Sequence, residues 1–178
     1  MQIRKANSND DIHRILELIY ATDEYIYPAL MDENDKDYTY LLAEQGMYHY
    51  NNITLAIVDD AIAGILISFT NEAAVPRIAQ QQLQEYFYDL QNSFDSQSEY
   101  INNVSVRKEY RGMGIATKLI SYIETHTTMP KIVLDCLVEN KNALHLYEKL
   151  GFTVTGIHPA FCLDPSLDIK DARMEKVL

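Results

Sequence analysis

The residues best suited to chemistry lie in one stretch, Val104-Ser105-Val106-Arg107-Lys108-Glu109-Tyr110-Arg111-Gly112-Met113-Gly114-Ile115-Ala116-Thr117. A strand runs into a loop with two glycines, and the loop opens directly into a helix. The first N–H groups of a helix have no intrahelical acceptor and point outward. With the helix dipole they form a seat for phosphate oxygens. Gly112 and Gly114 carry no Cβ, so a pyrophosphate can approach the backbone, and Ala116 keeps the first turn unobstructed. Arg107, Lys108, Arg111 and Lys118 face only Glu109 in this segment. Four cations against one acid leave +3 locally, in a chain whose net charge is −11, so the other residues share −14. A tight turn with solvated cations is the plainer reading of a bare Gly-x-Gly. A Walker loop is excluded, because no Gly-Lys-Ser/Thr follows. A nicotinamide-dependent oxidoreductase of the Rossmann type is a fairer rival. Asp135 ends an apolar strand about 20 residues on, where a ribose-binding acid would sit, but Thr117 holds the third glycine position.

A second constellation follows, Asn140-Lys141-Asn142-Ala143-Leu144-His145-Leu146-Tyr147-Glu148-Lys149-Leu150-Gly151-Phe152. Asn140 and Tyr147 are two helical turns apart, on nearly the same face and about 10 Å from each other. Ala143 between them presents only a methyl group and leaves a groove. Taken singly, Tyr147 reads as a packing residue and Asn140 as a helix N-cap.

Together, Arg111-Gly112-Met113-Gly114-Ile115-Ala116 and Asn140-x-x-Ala143-x-x-x-Tyr147-x-x-x-Gly151-Phe152 resemble the GNAT superfamily of N-acetyltransferases. The first matches its Arg/Gln-x-x-Gly-x-Gly/Ala acetyl-CoA motif and the second its following strand–helix motif. The resemblance is strongest over residues 100–153 and looser before residue 70. It implies an α/β fold with a central mixed sheet of about six or seven strands, flanked by helices and splayed where the cofactor binds. The splayed strands would be Tyr100–Val106 and Lys131–Val138. Backbone groups of Val104, Ser105 and Val106, left without a neighbouring strand, would pair with pantetheine amides. Arg111, Gly112, Met113, Gly114, Ile115, Ala116 and Thr117 would hold the pyrophosphate. Asn140, Ala143 and Tyr147 would line the pantetheine arm.

The implied reaction moves an acetyl group from acetyl-CoA to a primary amine by direct attack in a ternary complex. Proximity supplies much of the rate, and a backbone N–H near Val106 would polarise the thioester carbonyl. Tyr147 would protonate the leaving thiolate. Asp135, Glu99 and Glu72 are candidate bases for the acceptor ammonium, beside a water relay; of the three, Asp135 is preferred. A non-catalytic acyl-CoA sensor is the alternative from another class. The implied acceptor is a small molecule or a peptide N-terminus.

The elements that must position these groups are read from periodicity. A strand at Ile3–Ala6 precedes a helix of Ile12, Ile15, Leu16 and Ile19 that ends near Tyr20, with Ser8 and Asp11 at capping-box spacing. A weaker helix is expected over Asp37–Glu44. Ile53–Val58 and Ala61–Phe69, parted by Asp59-Asp60, read as a hairpin. Pro76 opens a segment in which Leu83, Phe87, Leu90 and Phe94 recur at helical spacing, a helical insertion over about 72–98. A strand at 100–106, a helix at 115–125, an apolar strand at 131–138 and a helix from 141 to 150 follow. Strands at 152–157 and 172–177 close a single domain spanning 1–178.

Composition sets the outer limits. The chain has 178 residues, is 47% hydrophobic and 23% charged, and so can bury one substantial core. Its acidity argues against nucleic-acid or membrane partners. No apolar run reaches a membrane span of roughly 20 residues, and the N-terminus has no secretory pattern, so a cytoplasmic location is expected. Cys136 and Cys162 are expected to be structural, and the five scattered histidines show no metal-ligand spacing, so no metal is expected. Tyr25, Tyr27, Asp23, Glu24 and Asp32 sit in a stretch suited to the acceptor entrance. Edge strands and tyrosine-rich faces suit a homodimer.

Overall fold

The computed structural model describes residues 1–22, 46–75, 81–162, 164 and 166–178. The expected helix at 37–44, the aromatic and acidic stretch after Thr22, and Pro76 lie outside the described residues. Seven strands and four helices are described. They are β1 (Gln2–Lys5), α1 (Ile12–Tyr20), β2 (Ile53–Val58), β3 (Ala61–Phe69), α2 (Gln81–Asn92) and β4 (Ser98–Val106). Then come α3 (Ile115–His126), β5 (Lys131–Leu137), α4 (Lys141–Lys149), β6 (Thr153–Pro159) and β7 (Lys170–Val177).

The strands form one sheet in the order β1-β2-β3-β4-β5-β7-β6. Only β4 and β5 run parallel; every other neighbouring pair is antiparallel. A doubly wound dinucleotide fold needs consecutive parallel strands, so the oxidoreductase rival falls.

Local chemistry explains the elements. Asp11 rather than Ser8 caps α1, its carboxylate accepting from the amides of His13 and Arg14. The cap therefore sits three residues later than the expected box. Asp59 and Asp60 both take positive φ, 48° and 62°, which a two-residue hairpin turn demands. The apolar periodicity of α2 is realised, with Leu83, Phe87 and Leu90 buried. Phe94 lies beyond the helix end yet stacks on Tyr100, with ring centroids 4.9 Å apart.

The sheet separates two cores. On one face α1 and α2 pack Ile15, Leu16, Leu83 and Phe87 against Ile65, Phe69 and Tyr100. On the other, α3 packs Ile115, Leu119 and Ile120 against Leu66, Ile101 and Leu134. Each such side chain contributes about 1.5–3 kcal/mol on burial. Gly64 lets α3 seat closely, since a Cβ there would lie 2.9 Å from the Ser105 carbonyl oxygen and 3.1 Å from an Ile115 methyl. Among the described residues, no helix is long and apolar enough to cross a membrane.

Candidate functional site

The central feature is a parallel ladder that stops early. β4 and β5 pair from Ser98–Lys131 to Ile101–Leu134 and no further, although β4 continues to Val106 and β5 to Leu137. The register on the other side of β4 explains why. Ile101 opposes Ser68 and Asn103 opposes Ile67, so Asn102 is an extra residue, a bulge at the point where the strands part. A bulge bends its strand and raises its twist. The gap opens into a cleft of about 890 Å³ that passes through the sheet. Tyr48 and Tyr86 line it on one face, and Ile115, Leu146 and Tyr147 on the other.

Val104, Ser105 and Val106 form the β4 wall. Their edge toward β5 lies beyond the last paired residues, so its backbone groups have no ladder partner. The glycine loop meets the end of this wall. Gly112 and Gly114 have φ of 80° and 72°, and a Cβ on either would meet nothing within 4 Å. Glycine is used here for backbone conformation and for open space above it. Among the described residues nothing accepts from the amides of residues 112–117, and the first helical bond runs from the Lys118 amide to the Gly114 carbonyl. Ile115, Ala116 and Thr117 line the cleft with the glycines, whereas the Met113 side chain is off its wall and half exposed.

The cations divide in their use. Arg111 lines the cleft and donates through Nε to the Val106 carbonyl at 3.2 Å. Arg107 is diverted into structure, donating to the Ile62 carbonyl at 2.8 Å and pairing with Glu17 at 3.0 Å.

On the β5 side, Asn140 caps α4, its side-chain oxygen accepting from the Ala143 amide at 3.2 Å. Asn140, Ala143 and Tyr147 all line the cleft. Tyr147 packs edge-on against Phe152, with centroids 5.8 Å apart. Burial, aided by the neighbouring Cys136 thiol, pushes its hydroxyl well above the usual phenol range. It is therefore fully protonated at neutral pH. Burial also pushes the Cys136 thiol up to about 11, which leaves it protonated and inert, as a structural residue should be.

The expected bases are placed differently. Asp135 lines the cleft but is enclosed by partners: Arg173 at 2.7 Å through both Nε and a terminal nitrogen, His158 Nε2 at 3.0 Å and the Tyr100 hydroxyl at 3.0 Å. Burial pushes its carboxyl up, but the hydrogen bonds from Arg173 and His158 more than reverse this and hold it below the usual range. A carboxylate so stabilised is a poor proton acceptor, and its geometry is that of an anchor. Glu99 belongs to the zipped part of β4, opposite Ile132, and accepts from Thr127. Glu72 is exposed and off the cleft wall.

Sequence reasoning missed Asn102, Tyr48 and His158. Asn102 donates to the Tyr48 hydroxyl at 3.3 Å within the cleft, and the neighbouring Asn103 donates to Thr22. Two adjacent asparagines in the middle of β4 were the available signal for the bulge. Among the described residues no His, Cys, Asp and Glu group could hold a metal.

The profile of the acetyltransferase (GNAT) family matches residues 12–152, and the chain belongs to that family. N-alpha-acetyltransferase 30 of Schizosaccharomyces pombe is 43% identical over 56 residues, which cover 30% of this chain and 37% of that protein. The chain thus matches well under two thirds of that relative's length. Among solved structures, an N-acetyltransferase from Staphylococcus aureus Mu50 has a TM-score of 0.68 at 21% identity, covering 99% of this chain and 100% of that one. A streptothricin acetyltransferase from Bacillus anthracis, solved with acetyl coenzyme A, has a TM-score of 0.51 at 20% identity, covering 71% of this chain and 61% of that one. The seven-stranded mixed sheet with flanking helices is the GNAT fold.

Proposed function

We propose that the protein is a cytoplasmic N-acetyltransferase that moves an acetyl group from acetyl-CoA to a primary amine by direct attack within a ternary complex. The observation that carries this reading is the early end of the β4–β5 ladder after Ile101 and Leu134. Backbone groups of Val104–Val106 that face the cleft without a ladder partner suit a ligand with its own amides, and pantetheine is one. The partner-free amides of residues 112–117 and the Arg111 guanidinium suit the diphosphate at the other end of that arm. The acetyl coenzyme A in the Bacillus anthracis structure supports the same ligand class.

In this reading Val104–Val106 hold the pantetheine and the bulge at Asn102 aims backbone at the acyl carbonyl. Tyr147 donates its proton to the departing thiolate. Asp135 does not act as base. The acceptor's proton leaves through water held by the polar groups at the strand gap, such as Asn102 and Tyr48. Holding both substrates together contributes the larger part of the rate.

Two measurements test this. Acetyl-CoA at 100 times its dissociation constant adds about 2.7 kcal/mol of stability, seen as a raised Tm that NADH does not reproduce. Thiol release with a panel of primary amines then reports turnover. A raised Tm with no thiol release from any amine would favour an acyl-CoA sensor instead.

A further inference from the structure

A second cleft of about 680 Å³ lies between α2 and the β6–β7 end of the sheet, and it shares a wall with the first. Tyr86, Phe161 and Asp135 line both. The rings of Tyr86 and Phe161 lie 4.5 Å apart at 33°, one carried by α2 and the other by the segment after β6. The partition between the clefts thus includes two half-buried aromatic side chains. Arg173 and His158 on the second cleft's wall are both committed to the Asp135 carboxylate. Glu85, Asp89 and Asp171 also line it. Among the described lining residues, the carboxylates therefore outnumber the cations even with His158 charged.

We propose that this second cleft receives the body of the acceptor, and that this body carries a positive charge besides the reacting amine. The ligand class is a diamine or a comparably basic amine, whose reactive end enters the strand gap past Tyr86 and Phe161. The aromatic faces suit an ammonium group in transit, and the acids on α2 attract the distal charge. This inference rests on the N-acetyltransferase reading.

The test is calorimetric titration of the CoA-saturated protein with butylamine and with 1,4-diaminobutane. The diamine binds about fivefold more tightly, the value of one favourable exposed ion pair. The double variant Glu85→Gln, Asp89→Asn abolishes that preference. Both residues are exposed, so the fold tolerates the change. Peptides beginning Ala-Lys and Ala-Glu form a second arm: selective binding of the former identifies a basic peptide end as the source of the charge, and binding of neither points to a small diamine. Equal affinities for the two amines, with no preference between the peptides, overturn the proposal. So does a preference that survives in the double variant. A protein whose Tm acetyl-CoA fails to raise would instead overturn the acetyltransferase reading, so the two failures are separable.

Discussion

The surroundings of Tyr147 set the state of its hydroxyl. A half-buried phenol that keeps its proton at neutral pH can hand it to a thiolate, and Tyr147→Phe removes only the hydroxyl while preserving the packing on Phe152. We expect kcat to fall about 100-fold with the KM for acetyl-CoA little changed; an unaltered kcat would remove Tyr147 from the reaction. Asp135 makes the opposite case. Asp135→Asn leaves Arg173 partly buried without its counter-ion, at a cost of about 3 kcal/mol in urea denaturation. A loss below about 1 kcal/mol would show a solvated, dispensable pair. That Tyr147 and Asn140 share one cleft wall was legible in the sequence, because a helix fixes their spacing. The enclosure of Asp135 was not legible, because its partners His158 and Arg173 stand on β6 and β7, and nothing local in the sequence brings them to β5.

At the scale of elements, apolar periodicity placed nearly every strand and helix, since alternation and 3.6-residue repeats reflect burial directly. The hairpin of β2 and β3 and the start of α3 fall where the pattern put them. The bulge at Asn102 was hinted at only by the adjacent asparagines, because one extra residue shows once the register with β3 is known. The close seat of α3 was equally hidden, as it depends on a glycine two strands away in the chain. Gly64→Ala drives a methyl into the Ser105 carbonyl and Ile115. It should destabilise the protein by about 1–3 kcal/mol and weaken acetyl-CoA binding by tilting the free amides of α3. An unchanged melting temperature would show that the helix can withdraw without strain.

Across the whole molecule, the Asp135 cluster joins β5, β6, β7 and, through Arg173 and the Ser93 carbonyl, the end of α2. Burial lowers the His158 pKa, but the hydrogen bonds to Asp135 and to the Pro159 carbonyl, together with the charge of the carboxylate, outweigh it and raise the net value. A raised folded value means stability that is fully present below about pH 6.5 and lost as pH climbs through the folded pKa. Asp135 has the reverse sign: its contribution is present above about pH 3.9 and fades as pH falls through its depressed value. Replacing His158 with Gln should flatten the alkaline decline in stability and leave the acid limb in place. A wild-type profile level from pH 6 to 9 would contradict the coupling.

The unfinished ladder between β4 and β5 has a dynamic corollary. With only four residue pairs joining them, the halves of the sheet can breathe about that junction, so a molecule lodged in the gap acts as a splint as well as a reactant. Amide hydrogen exchange at residues 102–106 and 135–137 should therefore slow strongly when CoA is added, while the interior of β3 and the far end of β5 hardly respond.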